Sequence, residues 1–156
     1  MISRRDIDLR YSDTDQMGVI YHANYFTFFM QGRTQFLRDL GFEYIDFESQ
    51  GYMYPVRDAR CTFLKSISLD EKVYVETSIH KFSKIKTEYY HEIKNVQGEV
   101  KAKGYTTVVC VNIKTGIPTR MDGVFPEAYE KYLEIIKKGE WLFAFLFYAA
   151  GTTAPP

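Results

Sequence analysis

Between Tyr11 and Phe26 the chain reads YSDTDQMGVIYHANYF, a run whose residue types can do chemistry. Two carboxylates, Asp13 and Asp15, precede a flexible Gly18 and a Tyr21-His22-Ala23-Asn24 run that leads into a helical pattern. A carboxylate can activate water as a general base or attack an electrophilic carbonyl directly. The first N–H groups of a helix lack intrahelical partners and lie at the positive end of its dipole, so they suit an anion developing on that carbonyl's oxygen. An attacker and a set of donors thus share one short stretch. Gly18 allows a sharp turn that brings backbone close to a ligand, and Asn24 reads as the N-cap. Either aspartate can equally serve a turn by accepting a bond from a nearby N–H.

The elements that must hold these residues follow from periodicity. Asp6 to Tyr11 alternates, placing Ile7, Leu9 and Tyr11 on one face of a strand. Tyr25, Phe28, Phe29, Gly32, Phe36, Leu37 and Leu40 then recur at helical spacing, predicting a helix from about Tyr25 to Leu40 with Gly41 as its stop. Four strand-like runs follow: Tyr54 to Leu64, Lys72 to Phe82, Thr87 to Val96 and Val100 to Asn112. Short connections at Ser83-Lys84 and Gln97-Gly98 favour antiparallel neighbours. Pro126 to Lys138 reads as a short amphipathic helix. The fold class is α+β, an antiparallel sheet whose apolar face is covered by one long helix.

With 156 residues, 46% of them hydrophobic, the chain suffices for one core. We expect one domain over residues 1–140, followed by an apolar C-terminal tail over 141–156. Trp141 to Gly151 is too short an apolar run to span a bilayer and reads as cover for the core or for a subunit face. Twenty basic and twenty acidic side chains cancel, which argues against nucleic acid or an anionic membrane as partner. Any anionic ligand must meet a local patch. The candidates are Arg57, Arg60 and Lys65 around one strand, and Lys81, Lys84 and Lys86 around the next turn. Cys61 and Cys110 read as buried thiols, and the charged N-terminus shows no secretory pattern, so the cytoplasm is the expected location. His80 and His91 fall on separate strands without a metal-ligand spacing, and no metal is expected.

The run Y-S-D-T-D-Q-M-G-V-I-Y-H-A-N-Y-F, followed by F-F-M-Q-G-R-T, resembles the 4-hydroxybenzoyl-CoA thioesterase family, particularly its bacterial YbgC-like acyl-CoA thioesterase branch. The resemblance implies the hotdog fold, a five-stranded antiparallel sheet wrapped around the long helix, and hydrolysis of acyl-CoA to free acid and CoA. It selects Asp15 as base or nucleophile. It places His22 at the oxyanion site through its main-chain N–H, with Gly18, Tyr21 and Asn24 shaping that site. The branch usually carries helix glutamates where this chain has Met30 and Gln35, leaving Asp39 as the only helix acid and favouring Asp15 further. No cofactor is implied, because CoA belongs to the substrate. CoA in the family lies across a subunit boundary, which points to Ser83 and Lys84 as contacts and to a homodimer or homotetramer. Two other functions fit the same residues: hydrolysis of an acyl-carrier-protein thioester, and acyl-CoA binding without turnover.

Overall fold

The computed structural model describes the backbone of residues 1–149 and the side chains of residues 1–139. In chain order its elements are β1 (Ser3–Ile7), α1 (Asn24–Asp39), α2 (Tyr44–Glu48), β2 (Tyr52–Met53), β3 (Val56–Phe63), β4 (Val73–Phe82), β5 (Lys86–Asn95), β6 (Val100–Val109), β7 (Val111–Asn112), α3 (Met121–Val124) and α4 (Pro126–Ala149). Five strands form one antiparallel sheet in the order β1-β4-β5-β6-β3, and β2 pairs with β7. The expected α+β hotdog architecture is found, with α1 lying on the concave face of the sheet.

The apolar stripe of α1 is the reason it sits there. Tyr25, Phe28, Phe29, Gly32, Phe36 and Leu37 are buried, as their spacing predicts. Each of the large ones contributes about 1.5–3 kcal/mol by leaving water. Gly32 sets how closely helix and sheet approach, since a Cβ there would lie 2.3 Å from Thr77 Oγ1 and 3.2 Å from Val75. Gly41 adopts φ +88°. Its N–H bonds Arg38 O and that of Phe42 bonds Leu37 O, which ends the helix as the sequence predicts.

One buried side chain lies off the predicted stripe. Arg33 is 7% exposed and donates from Nη1 to Thr106 Oγ1 at 2.9 Å. The same hydroxyl bonds His91 Nε2 at 2.8 Å, and His91 Nδ1 meets Thr77 Oγ1 at 2.9 Å. Phe29 stacks on the imidazole at 4.6 Å. A polar thread of four residues therefore crosses the core between helix and sheet. Burial, reinforced by the Arg33 charge, pushes the His91 pKa down to about 3, so the ring is neutral at ordinary pH.

Three boundaries differ from the sequence reading. The first strand is Ser3–Ile7 instead of Asp6–Tyr11, because its ladder ends where Ile7 meets Val73, the first residue of β4. Leu9 and Tyr11 thus lie beyond the sheet, and Tyr11 is exposed. The run Val100 to Asn112 divides into β6 and β7, with Cys110 between them donating its N–H to Ile85 O at 2.9 Å. The C-terminal helix continues past Lys138 to Ala149. The expected covering role of the apolar segment depends on side chains outside those described, and residues 150–156 also lie outside them. Among the described residues no helix is long and apolar enough to cross a membrane.

Two outcomes test this packing. Gly32→Ala should lower unfolding free energy in urea by about 1–3 kcal/mol, because Thr77 Oγ1 is held by His91 and cannot retreat. An unfolded imidazole takes up a proton near pH 6.5, whereas the folded one resists until about pH 3. The unfolded chain therefore binds more protons in that window, and stability should fall as pH drops through it. Urea midpoints measured from pH 7 to pH 4 should show this slope in the wild type and a shallower one in His91→Gln.

Candidate active site

The loop between β1 and α1 is closed by its own main chain. Asp13 O accepts the N–H of Tyr21 at 2.8 Å and the side-chain amide of Asn24, Nδ2, at 2.9 Å. Asn24 is therefore not an N-cap. The cap position is Ala23, and Asn24 is the first helical residue, its amide tying the helix start back across the loop. The Asp13 side chain is buried and committed to structure, accepting from Arg10 N at 2.9 Å and from Arg10 Nη2 at 3.0 Å.

Asp15 is placed differently. One carboxylate oxygen, Oδ1, accepts the Met17 N–H at 2.8 Å, the side-chain turn open to any aspartate at such a position. The other oxygen accepts no hydrogen bond among the described residues and belongs to a half-exposed side chain on the wall of a cleft. Gly18 closes the turn, donating its N–H to Asp15 O at 3.0 Å with φ +73°. That left-handed conformation suits glycine. It sends Val19 and Ile20 back beside the loop's first half, where Asp15 N–H bonds Val19 O and Ile20 N–H bonds Ile67 O, each at 2.9 Å.

The cleft holds about 300 Å³ and is lined by Asp15, Val19, Ile20, His22, Tyr25, Phe63, Leu64, Lys65 and Ser66. The His22 ring is exposed, tilted against Tyr21 at 4.4 Å and edge-on to Phe63 at 6.4 Å. Tyr21 lines a second hollow on the other side of Asp15, together with Tyr11 and Ser12. At the start of α1, Asn24 N–H turns back to Tyr21 O at 3.0 Å and Tyr25 N–H to His22 O at 3.3 Å. The N–H groups of His22 and Ala23 donate to no protein acceptor among the described residues. Burial, then the neighbouring Cys61, Glu71 and Asp15, pushes the Tyr25 phenol up to about 12, so it stays protonated.

Asp15, Gly18, Tyr21, His22 and Asn24 are thus brought together as the sequence reading expects. Ser83 and Lys84 are not. Their turn joins β4 to β5 at the end of the sheet where Lys86 faces Val109, whereas the cleft lies where Phe63 faces Ala102. The intervening stretch of β6 spans roughly 24 Å. There Ser83 Oγ accepts the Lys86 N–H at 3.2 Å, and Lys84 pairs with Asp122 at 3.2 Å. Helix α1 offers the cleft no carboxylate: Asp39 is held by Ser3 Oγ and by Gln35 Nε2. His91 is enclosed in the core, while His80 lies on the sheet's outer face near Glu88 and Tyr105.

Sequence reasoning missed the wall opposite Asp15. Tyr25 read as plain core, yet it is both buried and cleft-lining. Phe63, Leu64 and Ser66 carry no motif and reach the site through the β3–β6 register, which spacing along the chain does not reveal. Lys65, noted as one basic group among several, is the one of them that lines the cleft.

A long helix gripped by an antiparallel sheet, with a carboxylate and free helix-start N–H groups on one cleft, is the arrangement of a hotdog thioesterase. The model of the Thioesterase-like superfamily matches residues 9–134, and the chain belongs to that superfamily. Over 133 residues the chain is 38% identical to YneP of Bacillus subtilis, named provisionally as an acyl-CoA thioesterase, covering 83% of this chain and 96% of that protein. It is 27% identical to the acyl-CoA thioester hydrolase YbgC of Escherichia coli O6:H1, covering 70% and 81% respectively. Among solved structures, a DHNA-CoA thioesterase from Staphylococcus aureus superposes with a TM-score of 0.83 at 37% identity, covering 98% of this chain and 97% of that one.

The closure of the loop is testable. Asn24→Ala removes the amide that bridges helix and loop and should cost about 1 kcal/mol in urea unfolding. Proteolysis within residues 14–20 should accelerate in the same variant.

Proposed function

We propose that this protein hydrolyses the thioester bond of acyl-CoA with Asp15 as the activating carboxylate. The observation that carries the reading is the shared cleft: Asp15, with one oxygen that accepts no bond among the described residues, and His22, which opens a helix start whose His22 and Ala23 N–H groups have no acceptor among them. In the general-base route Asp15 takes a proton from water as the water oxygen bonds to the thioester carbon. The carbonyl oxygen gains charge and is met by the helix-start donors. Collapse breaks the C–S bond, the sulfur takes the proton, and acid and CoA leave. Direct attack by Asp15 on the thioester carbon would instead break the C–S bond, release CoA as its thiolate and give a mixed anhydride, which water cleaves to the free acid and the Asp15 carboxylate. The chemistry asks nothing of Asp39 or the core His91.

The cleft wall favours a ring over a straight chain. His22, Tyr25 and Phe63 present aromatic surface around the position where the acyl group must lie. The Staphylococcus aureus relative is named a DHNA-CoA thioesterase, and that name together with the aromatic wall supports an aryl-CoA substrate. A second copy of the chain completes the site. Strand β3 is one of the sheet's two edges and carries exposed Val56 and Phe63, so a partner joining there can bring its own Ser83 and Lys84 turn toward the nucleotide of CoA.

Thiol release from a panel of aryl- and alkyl-CoA esters tests the assignment. Asp15→Asn should lose at least about 100-fold in kcat while unfolding at the wild-type urea midpoint. His22→Ala should lose less, because its main chain supplies the donor. Near-normal turnover by Asp15→Asn would refute the reading. Lys84→Ala should raise KM for the CoA ester and leave kcat unchanged, and light scattering should report a dimer or a multiple of it.

A further inference from the structure

The wall facing Asp15 is built by Phe63 at the end of β3 and by Leu64, Lys65 and Ser66, the start of the segment 64–71 that leaves the sheet there and returns at β4. What holds it is one lysine. In the β5–β6 ladder Ile93 faces Ala102 and Lys94 faces Val100, so Lys101 is the extra residue of a β-bulge. Bulges re-aim side chains, and here Lys101 turns inward beside Ala102 with only 7% of its surface exposed. Its carbonyl accepts the N–H of Leu64 and of Lys65, both at 2.9 Å. Its ammonium donates to Ser66 O at 3.2 Å and pairs with Glu71 at 2.7 Å and Glu99 at 3.3 Å.

The contacts continue to the Asp15 loop. Glu71 uses its other oxygen to accept the Ser68 N–H at 3.0 Å. Ser68 is bridged to Val19, and Ile67 O receives the Ile20 N–H at 2.9 Å. Those residues immediately follow Gly18, and Asp15 N–H is bonded to Val19 O. An unbroken line of hydrogen bonds thus runs from a buried ammonium to the main chain of Asp15. Burying an ammonium is costly unless every donor is used, and here its partners are carboxylates and a carbonyl of the cleft's own wall.

We propose that Lys101 is a positioning residue of this site, fixing the Ser66–Ser68 wall against the Val19–Ile20 strip so that Asp15 keeps its distance from the ester carbon. The proposal rests on the reading of Asp15 above. It assigns to Lys101 no contact with substrate, so its effect falls on the rate of attack. Removing the ammonium leaves the partly exposed Glu71 without its cation and the Ser66 carbonyl without its donor, and the wall relaxes away from the loop.

The test compares Lys101→Met, Glu71→Gln and Asp15→Asn on one aryl-CoA ester, with kcat referred to the folded fraction from urea unfolding at the assay temperature. Lys101→Met should lose about 10-fold or more in kcat with KM within twofold of wild type. Glu71→Gln, which keeps volume and removes the charge, should lose a smaller factor in kcat alone. A lowered urea midpoint with kcat per folded molecule unchanged would reduce Lys101 to a structural ion pair and overturn the proposal. A rise in KM without loss of kcat would overturn it as well. If Lys101→Met does not fold, Glu71→Gln decides, and wild-type kcat in that variant refutes it. Activity retained by Asp15→Asn would sink the Asp15 reading whatever the others show; an inactive Asp15→Asn beside a fully active Lys101→Met would sink the Lys101 proposal alone.

Discussion

The Asp13 carbonyl, accepting at once from the Tyr21 N–H and the Asn24 amide, is the contact on which the site depends. It converts a loop that enters from the edge of a sheet into a closed ring at the foot of a helix. Without it Asp15 and His22 would have no reason to share a wall. A carbonyl has two lone pairs, and spending both on one junction fixes angle as well as distance. The helix is in turn held by its own burial, with Phe29 and Phe36 fully enclosed, so the ring is referenced to the buried core.

The division of labour between the two aspartates shows how position decides role. Both lie in one short stretch and both accept a local N–H. Asp13 is buried and saturated by Arg10, which makes it a structural acid, whereas Asp15 spends one oxygen on its turn and keeps the other. Residue type alone leaves that distinction open. The family resemblance selects Asp15, the one of the two whose carboxylate keeps an oxygen without a partner among the described residues.

What the sequence shows of the fold is whatever repeats at short range. The α1 stripe, its glycine stop and the antiparallel order of the strands follow from periodicity and loop length. Arg33 escapes that logic because a buried guanidinium is explained only by Thr106 and His91, which arrive from distant strands. Asn24 misleads in the opposite way: its type fits a cap, but the cap position falls on Ala23, and the Asn24 side chain instead donates to the Asp13 carbonyl. The far wall is hidden for a related reason. Phe63, Leu64 and Ser66 lie far from Asp15 along the chain and meet it through strand register and a one-residue bulge, neither of which leaves a local signature.

Asp15 and the start of α1 approach the cleft from the loop before the helix, while the facing surface comes from the end of β3 and the segment beyond it. These two pieces of chain touch through main-chain bonds such as Ile20 N–H to Ile67 O, which are indifferent to side-chain identity. Inheritance can therefore act on them separately. Drift at Phe63 or Leu64 can reshape one wall of the cleft and leave the Asp15 loop intact, a route by which one ancestral scaffold can give rise to descendants with divergent diets.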